Sequence, residues 1–238
     1  MKLVTHELGS GSLTAGLVHG ASESATAWHD FARMLVDEFD LRLILVDQRG
    51  HGESPRAATY NISEFADDLV ETLPVGLDFL FGQSLGGRTA ALAAARLAPG
   101  HYIGVDPAFS LPFGFGARTR AVAVIERAIP RSVLRRTVVS TFGEEGAERQ
   151  LANWANWDRR MIPYLTREGR RTEFLPQPPA VPSTVVLAEN SFVMPPNRAK
   201  EFADYGWDIR TLAGAPHDMH IRNPAGLIDI LRDVLTQP

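Results

Sequence analysis

The 238-residue chain contains no cysteine, which removes disulfide scaffolds and thiolate metal sites from consideration. No apolar run approaches the roughly 20 residues of a membrane span. The opening MKLVTHELGSGS lacks the charged start and apolar stretch of a secretory signal. Positive charge is also short: 24 Lys and Arg against 28 Asp and Glu leave a net −4, which offers no footprint for nucleic acid or an anionic membrane. Internal repeats and low-complexity segments are missing. These absences leave a cytoplasmic enzyme or binding protein with a small-molecule partner as the expectation, with neither nucleic acid nor membrane involved.

With 45% hydrophobic and 22% charged residues, the chain has the balance of an ordinary globular protein and enough length for one large domain, or a core with an insertion. Short apolar runs at 13–18, 41–46, 77–81 and 102–105 alternate with helix-like stretches at 27–39, 63–72 and 85–98. Strands alternating with helices imply right-handed crossovers and a mostly parallel sheet. From Pro107 to about Pro182 the pattern changes to successive helices, at roughly 117–128, 131–141, 145–157 and 158–168. Alternation then resumes with strands at 184–188 and 208–213 and helices at 196–205 and 224–236. The expected organisation is a doubly wound α/β core, 1–106 and 183–238, with an inserted helical cap at 107–182.

Between the apolar run GLDFLF and the alanine-rich stretch that follows lies Gly82-Gln83-Ser84-Leu85-Gly86. A serine flanked symmetrically by glycines at a strand-to-helix junction fits a nucleophile elbow, a turn too tight for side chains on its neighbours. The helix that begins there aims its N–H groups and positive dipole end at developing negative charge. A serine hydroxyl is a weak nucleophile at neutral pH, so it needs a base and a group to orient that base. The candidates are His6, His19, His29, His51, His101, His217 and His220.

At this point the chain resembles the α/β-hydrolase family over nearly its whole length outside the insertion. His19-Gly20-Ala21 resembles the family's oxyanion loop, Asp47-Gln48-Arg49-Gly50-His51-Gly52-Glu53-Ser54 its D-x-R-G-x-G-x-S turn, and Gly214-Ala215-Pro216-His217 its histidine loop. The resemblance implies Ser84 as nucleophile, His217 as base in preference to His220, and the backbone N–H groups of Ala21 and Leu85 as oxyanion donors. It implies no cofactor. His217-Asp218-Met219-His220 could be read as a metal pair, but further ligands are lacking nearby, so no metal is expected.

The acid departs from the family pattern. Where many relatives have a stretch similar to G-E-x-D, this chain has Ala188-Glu189-Asn190-Ser191. Asp106 ends the strand after the elbow helix, where some members carry their acid, and it is preferred to Glu189. The 118–171 segment holds 12 Arg and 6 Asp and Glu, a local +6 that leaves −10 elsewhere; arginines turned inward would favour a carboxylate-bearing substrate. Phe109, Phe113, Phe115, Phe142, Trp154 and Trp157 are candidates for an apolar pocket lining, while Phe192 reads as packing. The expected activity is hydrolysis of an ester or related carbonyl compound. Carbon-carbon bond hydrolysis or lyase chemistry on the same site and a non-catalytic receptor with a vestigial triad are the alternatives.

Overall fold

In the computed structural model, which describes residues 1–111, 129–168, 175 and 177–236, seven strands form one sheet. They are β1 (Val4–Leu8), β2 (Leu13–Val18), β3 (Leu41–Asp47), β4 (Phe79–Gln83), β5 (His101–Val105), β6 (Ser183–Ala188) and β7 (Asp208–Leu212), in the order β1-β3-β2-β4-β5-β6-β7. β1 runs antiparallel to β3, and every other pairing is parallel.

The sheet is doubly wound because its strands are apolar on both faces. Leu17, Leu43, Leu45, Phe79, Phe81 and Val186 point to one side, where they pack with Trp28, Phe31 and Leu35 of the α1 region (His29–Glu38) and Leu227 and Leu231 of the C-terminal helix (Pro224–Leu235). Their neighbours Val18, Ile44, Val46, Leu80, Tyr102 and Val185 point to the other side. There they meet α2 (Ile62–Thr72), α3 (Ser84–Leu97) and, further along, Phe202 of a helix at Pro196–Asp204. Each such side chain fully buried is worth about 1.5–3 kcal/mol. Ala90, Ala91, Ala93 and Ala94 are all buried, so α3 lies close against the sheet without large side chains between them.

Between β5 and β6 the chain adds α4 (Arg131–Ala155), a 3-10 turn (Arg159–Met161) and α5 (Ile162–Glu168). The two helices expected at 131–141 and 145–157 are arms of α4 that meet at Gly143, whose φ of 70° and ψ of 177° are not helical. The helix expected at 117–128 lies outside the described residues. The helices after β6 become α6 (Pro196–Asp204), α7 (Met219–Arg222) and α8 (Pro224–Leu235).

Two elements were not foreseen. β1 carries the sequence VTHEL, exposed over four of its five residues, so it has no buried face to create an alternating signal; pairing with β3 makes it a strand. α7 is four residues long, too short for periodicity to show.

Candidate active site

The elbow is built by sterics. Ser84 sits at φ +50°, a left-handed conformation that costs a non-glycine residue about 1–3 kcal/mol. A Cβ on Gly82 would lie 2.4 Å from the Gly86 carbonyl oxygen, and one on Gly86 would lie 2.3 Å from that of Val18. Only hydrogen fits at both positions, and that lets α3 start directly above β4. Leu85 is the second residue of α3, so its N–H has no partner within the helix.

Asp106 directly follows β5 and is wholly buried, also with a left-handed φ, of +40°. Its N–H donates to the Val186 carbonyl at 2.8 Å, and its Oδ1 accepts from the Ala188 N–H at 3.2 Å. The carboxylate is thereby fixed by the neighbouring strand, and its Oδ2 accepts a 2.6 Å hydrogen bond from Nδ1 of His217. The histidine loop is itself tied to β6, since the Glu189 N–H donates to the Ala215 carbonyl at 3.2 Å. Glu189 therefore contributes backbone at this edge while its side chain is exposed. Non-local strand order, which sequence spacing does not reveal, brings Asp106 and not Glu189 to the imidazole.

His220 faces the opposite way. It is fully buried, with its ring 4.6 Å from that of Trp28 and its Nε2 3.6 Å from Glu23 Oε2. Among the described residues no group of three or more His, Asp or Glu is placed to hold a metal ion.

Ser84, Leu85, Ala21 and His217 line one cavity of about 220 Å3. Its other walls are mostly apolar: Ile62, Leu111, Leu165, Phe192 and Val193, with Arg88 as the charged exception. The aromatic lining expected from Phe109, Trp154 and Trp157 is not found here. Phe109 packs beneath the sheet edge on Phe202 and Trp207, Trp157 lies over His51, and Trp154 lines a separate cleft. Phe192, read from sequence as packing, instead lines the cavity and sits 4.6 Å from the His217 ring. Phe113 and Phe115 lie outside the described residues.

The loop bearing Ala21 is held by His19 and His51, which lie in motifs read from the sequence, and by Glu23, which the sequence did not single out. The Gly20 N–H donates to Glu23 at 2.9 Å, and the Ser22 N–H donates to Nε2 of His51 at 3.2 Å. His51 donates in turn from Nδ1 to the Arg49 carbonyl at 3.0 Å, so it must be neutral to serve both bonds. Burial favours that form and pushes its pKa down to about 3. His19 is likewise buried and shifted down by desolvation; it accepts from the Gln48 N–H at 3.1 Å and donates to the Gly20 carbonyl at 2.7 Å. For Glu23, burial alone would raise the pKa, but the neighbouring His220 ring, His19 and the Gly20 N–H overturn it and bring the group to about 2.

The D-x-R-G-x-G-x-S turn is a scaffold for the same loop. Asp47 accepts from the N–H groups of Ala25 at 2.7 Å and Glu53 at 2.9 Å, while buried Arg49 makes two hydrogen bonds to Asp68 of α2, at 2.6 and 2.9 Å.

With this geometry in view, sequence comparison assigns the class. The profile of the alpha/beta hydrolase family matches residues 17–230, and the chain belongs to that family. It is a hydrolase. It is 26% identical over 254 residues to an sn-1-specific diacylglycerol lipase of Mus musculus, covering 92% of this chain and 79% of that protein. It is 39% identical over 98 residues to the 2-(acetamidomethylene)succinate hydrolase of Mesorhizobium japonicum, a match that spans 40% of this chain and only 34% of that relative. An esterase structure from Exiguobacterium antarcticum superposes with a TM-score of 0.76 at 17% identity, over 99% of this chain and 96% of that one. An N-formylmaleamic acid deformylase from Pseudomonas putida does so with a TM-score of 0.72 at 19% identity, over 96% and 94%. These two structures share the fold. No helix among the described residues is long and apolar enough to cross a membrane.

Proposed function

We propose that the protein is a serine hydrolase of small esters or related carbonyl compounds, with Ser84 as nucleophile, His217 as base and Asp106 as the acid. The observation that carries this reading is the 2.6 Å bond from His217 Nδ1 to a wholly buried Asp106, on a ring that shares its cavity with Ser84. That bond fixes the imidazole tautomer, so Nε2 carries the lone pair.

Nε2 takes the Ser84 proton as Oγ bonds to the substrate carbonyl carbon, and the carbonyl electron pair moves onto oxygen. The N–H groups of Ala21 and Leu85 receive that oxyanion. Collapse expels the alkoxide, which takes the proton from Nε2; water then repeats the sequence and frees Ser84. The receptor alternative drew on a missing acid, and a carboxylate in contact with His217 removes that motive. Carbon-carbon bond cleavage would use the same groups.

The segment 107–182 is read as a lid over this cavity, through which Leu111 and Leu165 reach the wall. A carboxylate-bearing substrate is supported by Arg88 rather than by the lid arginines. Arg88 lies one helical turn after Ser84, is 1% exposed and lines the cavity, whereas none of Arg131, Arg135, Arg136, Arg149, Arg159, Arg160 and Arg167 does. Arg118, Arg120, Arg127, Arg170 and Arg171 lie outside the described residues. The succinate-derived and maleamic acid substrates in the names of two similar proteins point the same way. The cavity, of about 220 Å3, suits a small acyl group.

A fluorophosphonate probe tests the reading. Wild-type protein should be labelled at neutral pH and Ser84→Ala should not. Absence of labelling in well-folded wild-type protein would overturn the hydrolytic role of Ser84.

A further inference from the structure

Gln83 precedes Ser84 at the end of β4 and is 1% exposed. A polar side chain so deeply buried must be satisfied by defined partners; its hydrogen-bond partner is His217, and it packs against Gly20 on the other side. Its Nε2 donates to the His217 carbonyl at 3.1 Å and lies 3.4 Å from Nε2 of the same residue's ring. Since a carbonyl can only accept, it fixes which end of the amide faces it. The other end, Oε1, then faces the oxyanion loop, so closely that a Cβ on Gly20 would stand 2.1 Å from it.

We propose that Gln83 is a positioning residue that clamps the His217 loop to the oxyanion loop and holds the His217 ring with an unprotonated Nε2. The proposal rests on the triad reading above. With Nδ1–H committed to Asp106, Nε2 is an acceptor, and an amide N–H beside it favours that state. A proton on Nε2 would set one N–H against another. At 3.4 Å the contact is too long to capture the lone pair, so Nε2 remains available to Ser84. The same amide thereby registers three groups that must act together: the base, the nucleophile next to it in the chain, and the loop of Ala21.

Other charged groups around the ring leave this role to Gln83. Asp106 binds Nδ1; Asp218 is 3.5 Å from Arg222; Glu23 lies behind Gly20 against His220; Glu189 is exposed; and Arg88 lines the cavity from α3. Gln83 is uncharged and contacts both the ring and its backbone.

The test is the pH dependence of fluorophosphonate labelling on the full chain, which requires no knowledge of the substrate. Gln83→Glu puts a negative charge beside the ring, and the midpoint of the labelling profile should move up by about one pH unit, a tenfold change in the protonation equilibrium. Gln83→Leu should lower the plateau rate about tenfold or more. Gln83→Asn, one methylene too short to reach the His217 carbonyl, should lose rate like leucine while keeping a polar group in place. If Leu fails to fold, the Asn and Glu variants carry the test. An unchanged midpoint in Gln83→Glu together with a wild-type plateau in Gln83→Asn would overturn the proposal. Persistent labelling of Ser84→Ala would instead strike the triad reading itself, so the two failures are separable.

Discussion

At the carboxyl edge of the sheet Gln83, Asp106, His51 and Glu23 are buried and hydrogen-bonded, whereas the charged side chains of α4 meet across the surface. Ten of the 14 residues of α3 are buried, against four of the 25 in α4. Arg49 lies buried on Asp68 at the edge; on α4, Arg135 meets Glu144 at 2.6 Å and Glu148 at 3.0 Å with all three side chains about half exposed or more. The difference is one of dielectric. A buried charged group such as Asp106 or Glu23 has one low-energy arrangement, because desolvation penalises every other. Exposed pairs gain little and exchange partners with water readily. The buried groups at the edge are therefore held in one arrangement, whereas the exposed pairs on α4 are not.

The largest effect should come from breaking the edge at its most buried bond. Asp106→Asn keeps the shape but favours the wrong imidazole tautomer, and turnover of a chromogenic ester should fall by about 10⁴, while Glu189→Gln changes it less than about twofold. A reversed pattern would transfer the acid role to Glu189.

Next is the acid stability of the loop at residues 20–23. The folded pKa of Glu23, about 2, lies below the ordinary 4.5. The carboxylate thus contributes stability that is complete above pH 4.5 and is lost as pH falls towards 2. Urea unfolding at a series of pH values should show that slope in the wild type, and Glu23→Gln, less stable at pH 7, should flatten it.

A sharper comparison sets Arg88 against the arginines between β5 and β6. Arg88→Met should lower kcat/KM about tenfold to a hundredfold for an ester whose acyl half carries a carboxylate, and change it little for the neutral ester of similar size. Equal losses on both substrates would assign Arg88 a packing role.

The smallest effect belongs to the surface. Arg149→Ala removes the 3.1 Å pair to Asp30, and the stability lost should be at most about 1 kcal/mol and vanish in high salt, with fluorophosphonate labelling unchanged.

Much of the fold was legible because its signals are local. The strand at 13–18 and the helices at 63–72 and 85–98 were each read to within about two residues of their observed ends, since apolar alternation and 3.6-residue periodicity are properties of neighbouring residues. The elbow belongs to the same class: Gly82 and Gly86 announce a turn whose sterics are settled within five residues. β1 escaped because an exposed edge strand carries no burial pattern, and only its partner β3 defines it.

What tertiary structure alone decided is which distant groups meet. The sequence offered Asp106 and Glu189 as acids and could rank them only by family pattern; the parallel register of β5 with β6 brings the Asp106 carboxylate onto the Ala188 N–H and the His217 ring, 111 residues away in the chain. Likewise, the sequence preferred His217 to His220 by motif position alone. One meets Asp106 at the cavity, and the other is sealed against Trp28 and Glu23. Gln83 was an unassigned position of the elbow motif, and its amide meets the His217 carbonyl and packs against Gly20 only when those loops close around it. Periodicity and turn chemistry act over a few residues and are written in the chain, whereas hydrogen bonds between buried groups depend on distances that exist only after the sheet has assembled.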